Sequence, residues 1–214
     1  MKRFFWLLMV VFLASCSKGR NNDPLYETFG VIKEDINVSG RLYVRSDNGK
    51  AVVPSDSGLL KNDDKDSRVW VMFSTNDDVN SDTIRAFVNG LLVVTEMEFK
   101  TENDELTSDN VSLQEMWVAQ DYLTMIMNVE ANSEKSLKDH KYTMYSSKEI
   151  VNDTVRMEFK YSRNNDSGGA RFNKIVALKL NDKLTVAPGS DSVVVAVKYR
   201  TGSSSRESFV KYKK

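Results

Sequence analysis

Three sets of residues in this chain have types and spacing that could do chemistry. The first is Cys16, the only cysteine, preceded by Leu13, Ala14 and Ser15. A thiol behind two small residues, at the end of the apolar run Phe4 to Leu13 and with Lys2 and Arg3 in front, has the form of a lipobox. The basic pair holds the N-terminus on the cytoplasmic side, and the apolar run is shorter than the roughly 20 residues that span a bilayer. Small residues suit a signal peptidase, and the thiol accepts the lipid. The expectation is that residues 1–15 are removed and Cys16 becomes an acylated N-terminus, held at a membrane surface outside the cytoplasm. With that thiol used, neither a disulfide within the chain nor a thiolate zinc site can form.

The second set centres on His140, the only histidine, which excludes a multi-histidine metal site or a relay between histidines. Asp139 adjoins it, but neighbours on a strand point to opposite faces, so Asp139 is badly placed to orient the ring for a Ser-His-Asp arrangement. The third set is acidic: Asp63-Asp64-Lys65-Asp66, Asp77-Asp78 with Asp82, and Asn164-Asn165-Asp166. None has the ligand order of an EF-hand, and solvated turns account for them better than Ca²⁺ does. No carboxylate pair for glycoside hydrolysis can be picked out, because the separation that matters is spatial. The sequence thus implies no catalytic residue, no metal, no cofactor, and no identifiable ligand-binding residue.

Charge restricts the partners. After loss of Lys2 and Arg3 the chain carries 28 basic and 30 acidic residues, which argues against nucleic acid. Residues 17–107 carry a net −6 and residues 108–214 a net +4, an asymmetry that suits two domains. Tyr43, Trp70 and Phe73 could form a stacking surface, but Trp70 lies between Val69, Val71 and Met72 and reads as core. Trp117 and Tyr122 read as packing residues.

The elements that must position these groups have a period of two almost throughout. Residues 16–27 lack apolar periodicity and read as a tether. Thr28 to Ile36, Gly40 to Arg45, Arg68 to Thr75, Thr83 to Val88 and Leu91 to Lys100 read as strands. Asp47-Asn48-Gly49 is a hairpin turn, and Asn89-Gly90 splits the last two strands. These predict a small closed barrel over 28–106. The polar stretch Asn103 to Asn110 marks the domain boundary. Beyond it Glu115 to Val129, His140 to Ser146, Thr154 to Tyr161, Lys174 to Leu180, Ser192 to Arg200 and Glu207 to Tyr212 predict an antiparallel sandwich over 107–214. The fold class is all-β, without a convincing helix.

Three segments carry a resemblance: Trp117-Val118-Ala119-Gln120-Asp121-Tyr122-Leu123, Asp139-His140-Lys141-Tyr142, and Asp153-Thr154-Val155-Arg156-Met157-Glu158-Phe159 before a polar Asn-Asp-Gly loop. With them the chain resembles the NigD-like lipoproteins of Bacteroidota over essentially its whole length. The resemblance implies a lipidated N-terminus, an OB-like barrel and a C-terminal β-sandwich. It departs at Lys160-Tyr161-Ser162, where family members often have a histidine. It departs also after Cys16, where Ser17-Lys18-Gly19-Arg20 replaces the acidic residues common in surface-exported lipoproteins and the first acid is Asp23. The expectation is an outer-membrane lipoprotein, at the periplasmic face rather than the cell surface. It is a non-enzymatic binding or adaptor module for an envelope protein, anchored to the membrane by its lipid. The rivals are a bacteriocin immunity-type protein, since the family takes its name from an operon linked to such a toxin, and a carbohydrate-binding or hydrolytic lipoprotein.

Overall fold

The computed structural model describes residues 24–213 except 57, 102–107, 152, 182 and 185–190, and leaves the side chains of 147–150 aside. Leu13, Ala14, Ser15, Cys16 and the first part of the expected tether lie outside the described residues.

Five strands close a barrel: β1 (Leu25–Glu34), β2 (Leu42–Ser46), β3 (Ala51–Pro54), β4 (Arg68–Ser74) and β5 (Thr83–Val93). Their order is β1-β2-β3-β5-β4, with β4 returning to β1, which is the OB arrangement. β1 begins at Leu25, so the last three residues expected in the tether are already strand. Alternation fills the interior: Val69, Val71 and Phe73 of β4 point inward with Ile32, Leu42, Val44, Val52, Ile84 and Ala86. Each of the Val, Leu, Ile and Phe side chains, fully buried, is worth about 1.5–3 kcal/mol. Closure brings β1 so near β2 that a Cβ on Gly30 would lie 2.5 Å from Val44 Cγ1 and 2.6 Å from the Arg45 carbonyl oxygen.

Asn89-Gly90 does not end a strand. β5 runs through it, and Asn89 is the extra residue of a bulge, since Gly90 pairs with Met72 and Val88 with Phe73. A Cβ at Gly90 would meet the Met72 Cε at 3.4 Å, an ordinary contact distance.

Two sheets form the second body. One has the order β14-β13-β11-β10-β7 and the other β6-β12-β9-β8. The strands are β6 (Thr95–Glu96), β7 (Glu98–Lys100), β8 (Ser112–Ala119), β9 (Tyr122–Ala131), β10 (Lys141–Val151), β11 (Thr154–Ser162), β12 (Ala170–Lys179), β13 (Ser192–Thr201) and β14 (Ser204–Lys213). The alternating triplets of β11 and β13, Val155, Met157, Phe159 and Val193, Val195, Val197, are buried between the sheets with Met125, Met127, Met144 and Leu178. Most pairs are antiparallel. Three are parallel, and β11 pairs with β13 this way because β12 crosses to the other sheet between them.

The segment expected as the last barrel strand, Leu91 to Lys100, divides. Residues up to Val93 belong to β5, while β6 and β7 pair with β12 and β10 of the sandwich. Two short 3-10 helices, Asn62–Asp64 and Glu134–Asp139, are the helical elements of the described residues; the second is capped reciprocally by Ser133 and Ser136.

Candidate functional site

One constellation of polar side chains lies where the barrel meets the outer face of the β12-β9-β8 sheet. Arg68 opens β4 beside the inward-facing Val69, so alternation points it out of the barrel, yet the sandwich leaves it only 2% exposed. Its guanidinium grips both carboxylate oxygens of Asp47 in the β2–β3 turn, and its Nε donates to Thr124 Oγ1 at 3.1 Å on β9. The Trp117 indole of β8 donates to the same carboxylate at 2.8 Å. Phe29 meets the Trp117 ring edge-on with centroids 5.0 Å apart, and the guanidinium lies 5.6 Å and 5.9 Å from the two ring centres.

Around this ion pair the connection continues. Gln120 donates to the Ser46 carbonyl at 3.1 Å, and the Tyr122 hydroxyl donates to the Asp66 carbonyl. Burial pushes the Tyr122 phenol up to about 12. Gln120 and Asp121 both have positive φ, as the two central residues of a type I′ hairpin turn require, and this turn aims Trp117 and Tyr122 at the barrel together. Val31, Val94, Tyr122 and Ala177 form an apolar cluster across the same junction.

His140 belongs to a second network. Its ring is buried, with Nδ1 2.7 Å from the Tyr161 hydroxyl and Nε2 3.1 Å from Asp166 Oδ2. A ring protonated at Nε2 donates to Asp166, and the single proton of the Tyr161 hydroxyl goes either to Nδ1 or to the Glu130 carbonyl 3.1 Å away. The carboxylate that meets His140 is therefore Asp166, from the polar loop 26 residues on, and not Asp139. The Ser136 hydroxyl, with the backbone N–H groups of Gly168 and Asn132 and the His140 ring, holds the Asp166 carboxyl well below the usual carboxylate range. Burial pushes the Tyr161 phenol well above its ordinary value. An acyl-transfer site would need a hydroxyl on His140 that substrate can reach. The hydroxyl present is that of Tyr161, 1% exposed and stacked on Tyr142, while Ser136 bonds to the acid rather than the ring. This geometry clamps the 164–169 loop and the Glu134–Asp139 helix onto β10 and β11.

The other groups singled out by sequence are used locally. Asp66 pairs with Lys33, and Lys65 with Glu34. Asp77 accepts from the Arg85 N–H, and Asp78 from the Asn80 N–H. Among the described residues no group of three or more acids, histidines or cysteines is placed to hold a metal. Tyr43, Trp70 and Phe73 do not make one platform, since Phe73 points into the barrel. The expectation that Trp70 is core is corrected: Val69 and Val71 face inward, so Trp70 stands half-buried on the outside, reaching toward Gly90.

The NigD-like C-terminal beta sandwich domain family matches residues 93–211, more than half of the chain. With an OB-type barrel fixed to a mixed sandwich, the class is a two-domain all-β protein, and the chain belongs to the NigD-like family. The boundary of that match coincides with the point where β5 ends and β6 joins the sandwich.

Among solved structures the chain is similar to a candidate toxin-related protein from Parabacteroides distasonis, 19% identical, with a TM-score of 0.71 over 89% of this chain and 94% of that one. It is also similar to a NigD-like immunity protein from Bacteroides caccae, 18% identical, with a TM-score of 0.62 over 91% and 99%. A candidate lipoprotein from Bacteroides fragilis, 7% identical, gives a TM-score of 0.65 over 89% and 99%. No curated protein matches.

Proposed function

We propose that the mature chain is a non-enzymatic lipoprotein of the outer membrane, anchored through Cys16 on the periplasmic face, whose two β domains bind a protein partner in the envelope. The observation that carries this is the junction built on Arg68, Asp47 and Trp117. It ties the barrel to the sandwich through buried polar contacts, an arrangement that suits presenting surfaces of both domains together. The Asp166 carboxylate, held well below its usual range, is consumed in holding a loop, as a scaffold would use it. The name of the Bacteroides fragilis neighbour agrees with a lipid anchor. Ser17-Lys18-Gly19-Arg20 after Cys16 favours the periplasmic face. Confinement to the membrane plane raises the effective concentration of a weakly binding partner.

Cys16→Ser is expected to move the protein from the membrane to the soluble fraction, and retention in the membrane overturns the anchor. Protease added to intact cells separates the two faces, with full protection expected. Crosslinking of the lipidated protein in its own envelope, followed by identification of the captured chain, tests the partner. The name of the Bacteroides caccae neighbour favours a second reading, in which the partner is a bacteriocin. Toxin sensitivity on deletion of the gene would select it.

A further inference from the structure

β12 is paired along its whole length with β9, from Ala170 to Lys179, but with β6 only at Val176 and Ala177. The Met97 N–H donates to the Ala177 carbonyl, so the backbone groups of Ala177 point away from β9. Alternation then directs the N–H and C=O of Ile175 and Asn173 the same way. The Val176–Thr95 pair of this parallel ladder already engages the Ile175 carbonyl with the Thr95 N–H, so the groups on that side with no partner strand among the described residues are the Ile175 N–H and both groups of Asn173. The chain that would continue β6 alongside them peels away instead into β5, at Leu92 to Val94. The gap it leaves is a groove of about 380 Å³ between barrel and sandwich.

The two sides of this groove differ. Toward the barrel it is apolar, with Ile175 and the exposed Leu92 and Val93. Toward the interior of the sandwich, strand alternation turns Lys174, and the Glu134–Asp139 helix adds the buried Leu137 and the exposed Glu134 and Lys138 to the lining. The Lys174 ammonium lies 5.5 Å from the Tyr142 ring centre and has no carboxylate partner among the described residues. Its burial lowers its pKa, which marks a cation held in part out of water. Native folds rarely leave an edge of this kind unprotected, and one lined by a cavity suits strand addition.

We propose that this groove receives an extended segment of a protein partner as an added strand on the edge of β12 at Asn173 and Ile175, the segment alternating apolar and acidic residues. A strand seated there turns successive side chains to opposite sides, one set against Leu92 and Ile175 and the other toward Lys174 and Lys138. The inference rests on the partner-binding reading above and names where and how that partner binds.

The probe is a capped peptide of about six residues alternating valine and glutamate, titrated into the full soluble domain pair and followed by amide hydrogen exchange. Slowed exchange at Asn173 and Ile175 is expected, lost when alternate peptide nitrogens are methylated. Asn173→Pro removes only an outward N–H, a position where an edge strand tolerates proline, and Lys174→Glu reverses the charge. Each is expected to weaken binding by about tenfold or more while leaving the unfolding midpoint near wild type. Should the proline variant fail to fold, Lys174→Glu and the methylated peptide decide. Unchanged exchange at a saturating peptide concentration, or equal binding by Lys174→Glu, overturns the proposal. So does a self-associated wild type that Asn173→Pro makes monomeric, since the edge then belongs to a second copy. If envelope crosslinking captures the same partner with Lys174→Glu as with wild type, partner binding stands and only the groove is refuted. Capture of nothing by wild type, with the peptide still bound, refutes the partner reading instead.

Discussion

Removing the Asp47 carboxylate tests the domain junction at its centre. In Asp47→Ala the Arg68 guanidinium loses its anion and the Trp117 indole its acceptor, while Arg68 retains Thr124 and the faces of Phe29 and Trp117. Breaking a buried ion pair from one side costs about 3–5 kcal/mol, because the remaining charge stays buried without compensation. Here the Arg68 side chain is 1% exposed but that of Asp47 is 22%, so water can reach the vacated position. That opening places the expected loss at the low end, about 3 kcal/mol, including about 1 kcal/mol for the indole bond.

The assay is urea unfolding followed in parallel by tryptophan fluorescence, which senses Trp117 at the junction and Trp70 on the barrel, and by far-ultraviolet circular dichroism, which senses both bodies. The double variant Asp47→Val/Arg68→Met removes both charges and leaves shape roughly filled. It is expected to lie within about 1.5 kcal/mol of wild type, because exchanging a buried pair for apolar side chains is often close to neutral. A loss below about 1 kcal/mol in Asp47→Ala, or a double variant no better than the single one, would refute the reasoning and assign the junction to the apolar cluster of Val31, Val94, Tyr122 and Ala177.

Two further outcomes follow from the same geometry. Asp166 titrates below its ordinary 3.8 in the folded chain, so the stability it contributes is present above that value and is lost as pH falls through the folded-state pKa. Asp166→Asn is therefore expected to be less stable at neutral pH and to show a flatter acid limb in unfolding free energy against pH; parallel curves would contradict this. Gly30→Ala is expected to cost at least about 2 kcal/mol in thermal unfolding, because the new methyl meets a backbone carbonyl that cannot move aside. Adding Val44→Ala should not restore the loss, since only one of the two close contacts is then removed.

The barrel and sandwich were legible because nearly every strand is half-buried and alternates, as Val155, Met157 and Phe159 do against Arg156, Glu158 and Lys160. Trp70 was misplaced because apolar neighbours on both sides mask a period of two; the outer face of a small barrel can be apolar as well. Asn89-Gly90 misled because the same dipeptide that closes a hairpin also serves a bulge, and only the partner strand distinguishes them. Asp47 was correctly placed in a turn, but its carboxylate meets Arg68 and Trp117 across separations of 21 and 70 residues, which no local pattern encodes. Asp166 was seen as loop composition for the same reason. A signal was available in the one case of His140: a lone histidine predicted on a strand must find a polar partner if buried, and the nearest acid-bearing loop beyond the next strand is where Asp166 lies.

The segments by which the chain resembles its family turn out to be architectural. Trp117, Gln120 and Tyr122 each bond to the barrel, and Asp121 supplies the turn and accepts from the Tyr212 hydroxyl at 2.9 Å. His140 and Tyr142 secure Tyr161, and the Val155 to Phe159 run is core. Their chemistry is spent partly on joining the barrel to the sandwich and partly on holding the sandwich itself together, so they fix a common frame, and on the proposal above any partner is chosen by surfaces outside them. The edge of β12 is the surface proposed for this role. It exists because the chain leaves β5 for β6 too late to cover Asn173 and Ile175, and its alternating apolar and basic sides come from residues that none of the recognisable segments contains. Changing Lys138 and Lys174 should therefore alter what is bound without disturbing the frame, whereas changing Trp117 should disturb the frame first.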